Sequence, residues 1–213
     1  MIYVNGLFRS GTTVCFNICR QLHKQKFISN NIKKCHETWL QYDVKPTDFN
    51  IYTYRDLRTV TASLMRKRGL DEYSFCQWTN SQFNTRNFEE WFNFLLDYDQ
   101  LFYQKVSEKN LSGLSLKYED DILNIDSGIF KIIRYLNLLM PKHILDELAT
   151  IHSIDNNLEI TTKLRQGEED PVTRYHYNHI SKEYTDYRMY IPERYYINNE
   201  RLNTWLKSKG YEK

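Results

Sequence analysis

The residues best suited to chemistry stand together near the start of the chain. In IYVNGLFRSGTT, residues 2–13, an apolar run gives way to a loop bracketed by Gly6 and Gly11 and carrying Arg9, Ser10, Thr12 and Thr13. A loop of this kind opening a helix turns the backbone N–H groups of Phe8 to Thr13 toward one point, where the helix dipole adds positive potential, so it is built to hold a small oxyanion. The run nearly has the form GxxxxGK[ST], in which a lysine reaches the terminal phosphates of a nucleotide. Thr12 occupies that lysine's place, and Arg9 precedes it by three positions. Transfer of a γ-phosphoryl group calls for the lysine and Mg²⁺, because charge spreads over several phosphates. A donor with less charge near its reacting atom needs one cation and no metal, and a guanidinium meets that need.

The elements that must position this loop follow from periodicity. Ile2 to Asn5 reads as a strand, and Thr12 to about Lys26 as a helix with Val14, Cys15, Ile18, Cys19 and Leu22 on one face. Further strands are expected at Ile32–His36, Phe49–Tyr54 and Gly113–Lys117, and helices at Leu57–Lys67 (ended by Gly69), from Asn87 onward, near Ile125–Leu138 and Lys142–Ile151, and at about Asn199–Lys209. Residues 70–86 read as a long polar excursion with scattered aromatics. The aromatics Trp91, Tyr98 and Phe102, at helical spacing with Leu95, are expected in the core. Strands alternating with helices predict an α/β fold in three layers, a central parallel sheet with helices on both faces, with any ligand at the carboxyl ends of the strands. One domain spanning residues 1–213 is expected.

Composition narrows the partners. The 29 basic and 27 acidic residues leave a formal charge of +2, too balanced for a nonspecific nucleic-acid surface. No stretch reaches membrane-spanning length, and with a strand expected from Ile2 no signal segment is expected before it. Cys15, Cys19, Cys35 and Cys76 form no CxxC pair or disulfide framework, which predicts reduced thiols in a cytoplasmic setting. His176 and His179 are three apart without a matching carboxylate or cysteine, and read as a polar surface loop; Glu119, Asp120 and Asp121 read as a helix-start cluster, with a Mg²⁺ site as the alternative.

IYVNGLFRSGTT resembles the 5′-phosphosulfate loop of the PAPS-dependent sulfotransferases, a family whose fold is like that of the P-loop NTPases. IYTYRDLRTVTASLMRKRG, from residue 51, is similar to that family's second motif, an Arg at a strand end with a Ser eight residues later. The resemblance implies that Arg9, Ser10, Gly11, Thr12 and Thr13 bind the 5′-phosphate and that Arg55 and Ser63 bind the 3′-phosphate of PAPS. Lys34, Cys35 and His36 resemble the family's Lys-Thr-His element, which implies His36 as general base and a role for Lys34 on the transferring sulfonate; Glu37 is the alternative base. Tyr118 of Tyr118-Glu119-Asp120 matches a tyrosine near the adenine, and Arg165 with Gly167 matches an element that closes over the 3′-phosphate. Val14 replaces the tryptophan that stacks on adenine in many members. The expected reaction is sulfonate transfer from PAPS to a hydroxyl on a small-molecule or carbohydrate acceptor, releasing PAP, without a metal. The alternatives are a phosphate-loop kinase or nucleotide hydrolase, and a noncatalytic nucleotide-binding module.

Overall fold

Ile2, Val4, Ile51 and Leu116 are wholly buried, and they lie on strands that pair side by side in parallel. Parallel strands are covered by the connections between them, so their residues read as near-continuous apolar runs. In the computed structural model, which describes residues 1–35, 41–177 and 186–212, the strands are β1 (Ile2–Gly6), β2 (Ile32–Lys34), β3 (Phe49–Tyr54) and β4 (Gly113–Lys117). The sheet runs β2-β1-β3-β4 and every pairing is parallel, with Ile2 opposite both Ile32 and Phe49 and Asn50 opposite Gly113. Helices flank it, as expected for the α/β class. From β1 the chain goes to one side for β2 and to the other for β3, so the order reverses between β1 and β3. That switch point leaves a crevice at the carboxyl ends of the two strands, where such sheets bind ligands.

The chain divides into two compact units, Met1–Tyr54 with Lys105–Glu183, and Arg55–Gln104 with Tyr184–Lys213. The first holds the sheet together with α1 (Thr12–Lys24), α5 (Ile125–Tyr135), α6 (Lys142–His152) and α7 (Ile154–Thr162). Its core joins Val14, Ile18 and Leu22 of α1 to Ile129 and Ile132 of α5 and to the strand residues named above. Cys15 and Cys19 are buried on the same face of α1. Burial pushes the Cys19 thiol up to about 12, so it packs as a small apolar side chain.

The second unit holds α2 (Leu57–Arg68), α3 (Glu72–Phe83), most of α4 (Phe88–Glu108) and α8 (Glu200–Ser208). Gly69, with φ of 64°, ends α2 as expected. Residues 70–86 are not an excursion. Asp71 caps α3 by accepting from the Ser74 amide at 2.8 Å, and Asn84 closes the helix in the left-handed conformation. A helix burying only Phe75 and Thr79 shows too narrow an apolar stripe to be read from periodicity. Phe75 stacks on Phe88 and meets Trp91 edge-on, and the Trp91 indole donates to Thr61 at 2.9 Å. Trp91, Leu95, Tyr98 and Phe102 are all buried, as their spacing predicts. At the head of α4 the Glu90 amide donates to Asn87, while the Glu90 carboxylate accepts from Arg86 rather than Asn87. Trp205 docks α8 by donating to the buried carboxylate of Asp99 at 2.8 Å.

Candidate phosphate-binding site

The loop between β1 and α1 is shaped by two residues with positive φ, Arg9 at 56° and Gly11 at 91°. A non-glycine residue in that region is uncommon, and alternation between left- and right-handed conformations makes the amide concavity that holds anions. Gly11 is needed twice over. Its backbone suits glycine, and a Cβ there would lie 2.7 Å from Ile122, just past the end of β4. Gly11 is also the N-cap of α1, so no side chain caps the helix, and the amides of Thr12, Thr13 and Val14 precede the first intrahelical bond, from Cys15 to Gly11. An uncapped start to a 13-residue helix, at the sheet's switch point, is chemically suited to an oxyanion.

Beneath the loop lies a hub that the sequence reading did not single out. The Thr53 hydroxyl contacts the hydroxyls of Ser10 at 2.7 Å and Thr12 at 2.9 Å, and the Thr53 carbonyl accepts from Ser10 at 3.0 Å and from the Leu7 amide at 3.0 Å. Gly6 sits opposite Thr53 in the sheet, and a Cβ on Gly6 would lie 2.0 Å from the Thr53 hydroxyl oxygen. The Ser10 and Thr12 hydroxyls therefore brace the loop from beneath. The place of Thr53 opposite Gly6 depends on the register of two strands far apart in sequence, which residue pattern does not carry.

Thr13 differs. Its hydroxyl accepts from the Lys34 ammonium at 2.7 Å, which brings a cation from the end of the adjacent strand to the start of α1. Burial lowers the Lys34 pKa from the usual lysine range, and the charge of Glu169 opposes that shift. Next to it Cys35 is buried, its thiol pushed up to about 12 by desolvation, with its amide bonded to the Val4 carbonyl at 2.9 Å. His36 and Glu37, the candidate bases, lie outside the described residues.

No protein-family model matches the chain, and no curated protein matches it. Among solved structures it is similar to the crystal structure of mouse sulfotransferase SULT7A1 complexed with PAP, with a TM-score of 0.59 and 12% identity, over 99% of this chain and 85% of the mouse chain. The chain has a sulfotransferase-like fold. Within it the remaining candidates take definite places. Tyr118, half-buried, follows β4 and opens a single π-helical turn, Tyr118–Ile122, whose Ile122 abuts Gly11. Asp121 in that turn accepts from the Lys117 amide, the Ser127 hydroxyl and the Lys131 ammonium, which makes it a structural carboxylate. No group of three or more His, Cys, Asp or Glu among the described residues is arranged to hold a metal.

Arg165 and Gly167 form an exposed turn in the first unit, in which the Glu168 carboxylate accepts from the Arg165 amide at 2.8 Å and Gly167 has φ of 89° with open space around it. In the second unit Arg55 is its first residue, directly after β3, and Ser63 lies buried two turns into α2. Asp56, between them in sequence, accepts from the Arg58 amide as the α2 cap and is gripped by the Arg58 guanidinium at 2.8, 3.1 and 3.2 Å. The structure thus joins Ser10 and Thr12 to Thr53 by hydrogen bonds, and Thr13 separately to Lys34. Among the described residues, no helix is long and apolar enough to cross a membrane.

Proposed function

We propose that this chain transfers a sulfonate group from PAPS to a hydroxyl on a small-molecule or carbohydrate acceptor and releases PAP. One observation carries the reading: an uncapped helix start at the switch point of a parallel sheet, with the Lys34 ammonium held 2.7 Å from the hydroxyl of its second residue. The fold shared with a PAP-bound sulfotransferase supports it. The loop amides, Arg9 and Lys34 hold the 5′-phosphate and offset the charge that develops there as the sulfur–oxygen bond breaks. His36, or Glu37 in its place, takes the proton from the acceptor hydroxyl as the new oxygen–sulfur bond forms. Arg55 and Ser63 hold the 3′-phosphate, which separates this donor from nucleotides that lack it. Tyr118 approaches the adenine. Arginine and lysine supply the positive charge, so no metal is needed. Reduced cysteines, of which Cys15, Cys19 and Cys35 are buried and free, support a cytoplasmic setting.

The test is titration calorimetry with PAP in EDTA, followed by transfer of labelled sulfonate to pooled acceptors. Tight PAP binding with weak ATP binding is expected. Undetectable PAP binding, or equal preference for ATP, would falsify the donor assignment, and Mg²⁺-dependent preference for ATP would point to a phosphate-loop kinase instead. Binding without transfer would identify a noncatalytic module.

A further inference from the structure

Ser10, Thr12 and Thr53 are all buried, so their hydroxyl protons must find partners within the protein. A hydroxyl has one proton to give and two lone pairs to receive, and a carbonyl oxygen only accepts, which allows the contacts to be assigned in order. The Ser10 hydroxyl lies 2.5 Å from the Leu7 carbonyl and 3.0 Å from the Thr53 carbonyl. Two oxygens at the shorter separation are held together by a proton between them, so Ser10 donates to Leu7. Its proton is then spent. The contact of 2.7 Å between the Ser10 and Thr53 hydroxyls must carry the Thr53 proton, for which the Asn5 carbonyl at 3.4 Å is the poorer acceptor. With that proton committed, the contact of 2.9 Å between Thr53 and Thr12 needs the proton of Thr12. Hydrogen bonding thus runs one way, from Thr12 to Thr53 to Ser10 to the Leu7 carbonyl. Gly6 admits the chain, since a Cβ there would lie 2.0 Å from the Thr53 hydroxyl oxygen and 2.8 Å from that of Thr12.

We propose that Thr53 is a positioning residue for the turn between β1 and α1, the middle link of a one-way hydroxyl chain that commits the Thr12 proton to the strand instead of to a ligand. Its effect on binding rests on the reading of the turn as the seat of the donor's 5′-phosphate. Arg9 and Gly11, whose positive φ angles shape the turn, lie between Leu7 and Thr12, the two ends of the chain. Both ends are therefore pinned to one residue of β3, and the amides between them are fixed before any anion arrives. Thr12 contributes its amide to that anion and no hydroxyl proton.

Amide hydrogen exchange of residues 7–13 without ligand, read by mass spectrometry, reports the pinning. Thr53→Val keeps the shape and lacks the hydroxyl; its exchange there is expected to rise about tenfold more than that of α5, whereas Thr53→Ser keeps near wild-type protection. Urea midpoints report the direction. Ser10→Ala strands the Thr53 proton and the Leu7 carbonyl, while Thr12→Val strands no proton, so Ser10→Ala should lower the midpoint further. No excess exchange in Thr53→Val, or Thr53→Ser behaving like Thr53→Val, overturns the positioning role. An equal or larger midpoint loss in Thr12→Val overturns the direction. PAP calorimetry gives the functional arm: Thr53→Val should bind about tenfold more weakly and Thr53→Ser recover the affinity. Unmoved affinity in Thr53→Val overturns the effect on binding. Should the wild type fail to bind PAP, the donor reading falls, and exchange with the midpoint order still decides the chain; should Thr53→Val fail to fold, the midpoint order alone decides it.

Discussion

Two strand-to-helix turns carry the motifs of this chain, and they treat the start of the helix in opposite ways. After β1 the N-cap is Gly11, and no side chain caps the first turn of α1. After β3 the N-cap is Asp56, whose carboxylate accepts from the Arg58 amide and is gripped by the Arg58 guanidinium. Arg58 is itself buried, also paired with Glu212, and lies 4.5 Å from the Tyr187 ring centre; its ion pairs hold its pKa above the usual arginine value despite burial. The second helix start carries its own anion, and the first carries none. A phosphate at the second turn would therefore have to be held by side chains rather than by the dipole of α2.

The largest expected effect breaks the second turn. Arg58→Ala leaves Asp56 as a buried carboxylate without its guanidinium and is expected to cost roughly 3–5 kcal/mol in urea unfolding. Loss below about 1 kcal/mol would mean that water takes the place of the guanidinium. The pH dependence of stability bounds the conditions for all such comparisons. His152 is buried at the end of α6, and desolvation lowers its pKa to about 4 from 6.5. The unfolded chain therefore takes up this proton first. Its contribution is complete above pH 6.5 and is lost as the pH falls toward 4, about 3 kcal/mol in all. His152→Gln should flatten that acid limb, and an unaltered limb would assign it to other groups.

Gly11→Ala strikes the first turn. Forcing a Cβ into a left-handed backbone against Ile122 is expected to cost about 1–3 kcal/mol and to remove PAP binding, both measurable on one sample by thermal shift with and without PAP. Thr53→Val, which keeps the shape and deletes the hydroxyl hub, should lower stability by about 1–2 kcal/mol and weaken PAP, because Ser10 and Thr12 lose a partner. The mildest change sharpens the contrast most. Lys34→Gln is expected to weaken PAP about tenfold, or about 1.4 kcal/mol, with little change in unfolding midpoint. In the wild type, PAP affinity should decline as pH rises through the lowered pKa of Lys34, and Lys34→Gln should abolish that decline.

Much of this was legible along the chain because it rests on local chemistry. The alternation of apolar runs with helical stripes places β1, α1, β3, α2 and β4, and RSGTT with a bracketing glycine marks the turn between β1 and α1 as the candidate anion loop from residue types alone. Asp71 and Asn84 bound α3 with ordinary caps, yet its single buried stripe hid it among polar residues. α7 was missed as well, since Ile154–Thr162 buries only Asn157 and Thr161 and shows no apolar face. Thr53 was missed because its importance lies in register: it matters through being opposite Gly6, 47 positions away in sequence, and periodicity carries no register between distant strands.

The sequence by itself determined which groups could meet a phosphate: the glycines that permit the turn, Arg9, the two threonines, and a lysine on a neighbouring strand. Tertiary structure alone decided their employment. Parallel pairing put Thr53 under the loop, so that the hydroxyls of Ser10 and Thr12 are spent on bracing and that of Thr13 is given to Lys34. Residue type sets what a side chain can donate or accept, whereas which partner it finds depends on contacts between segments far apart in the chain, and those exist only once the sheet has formed.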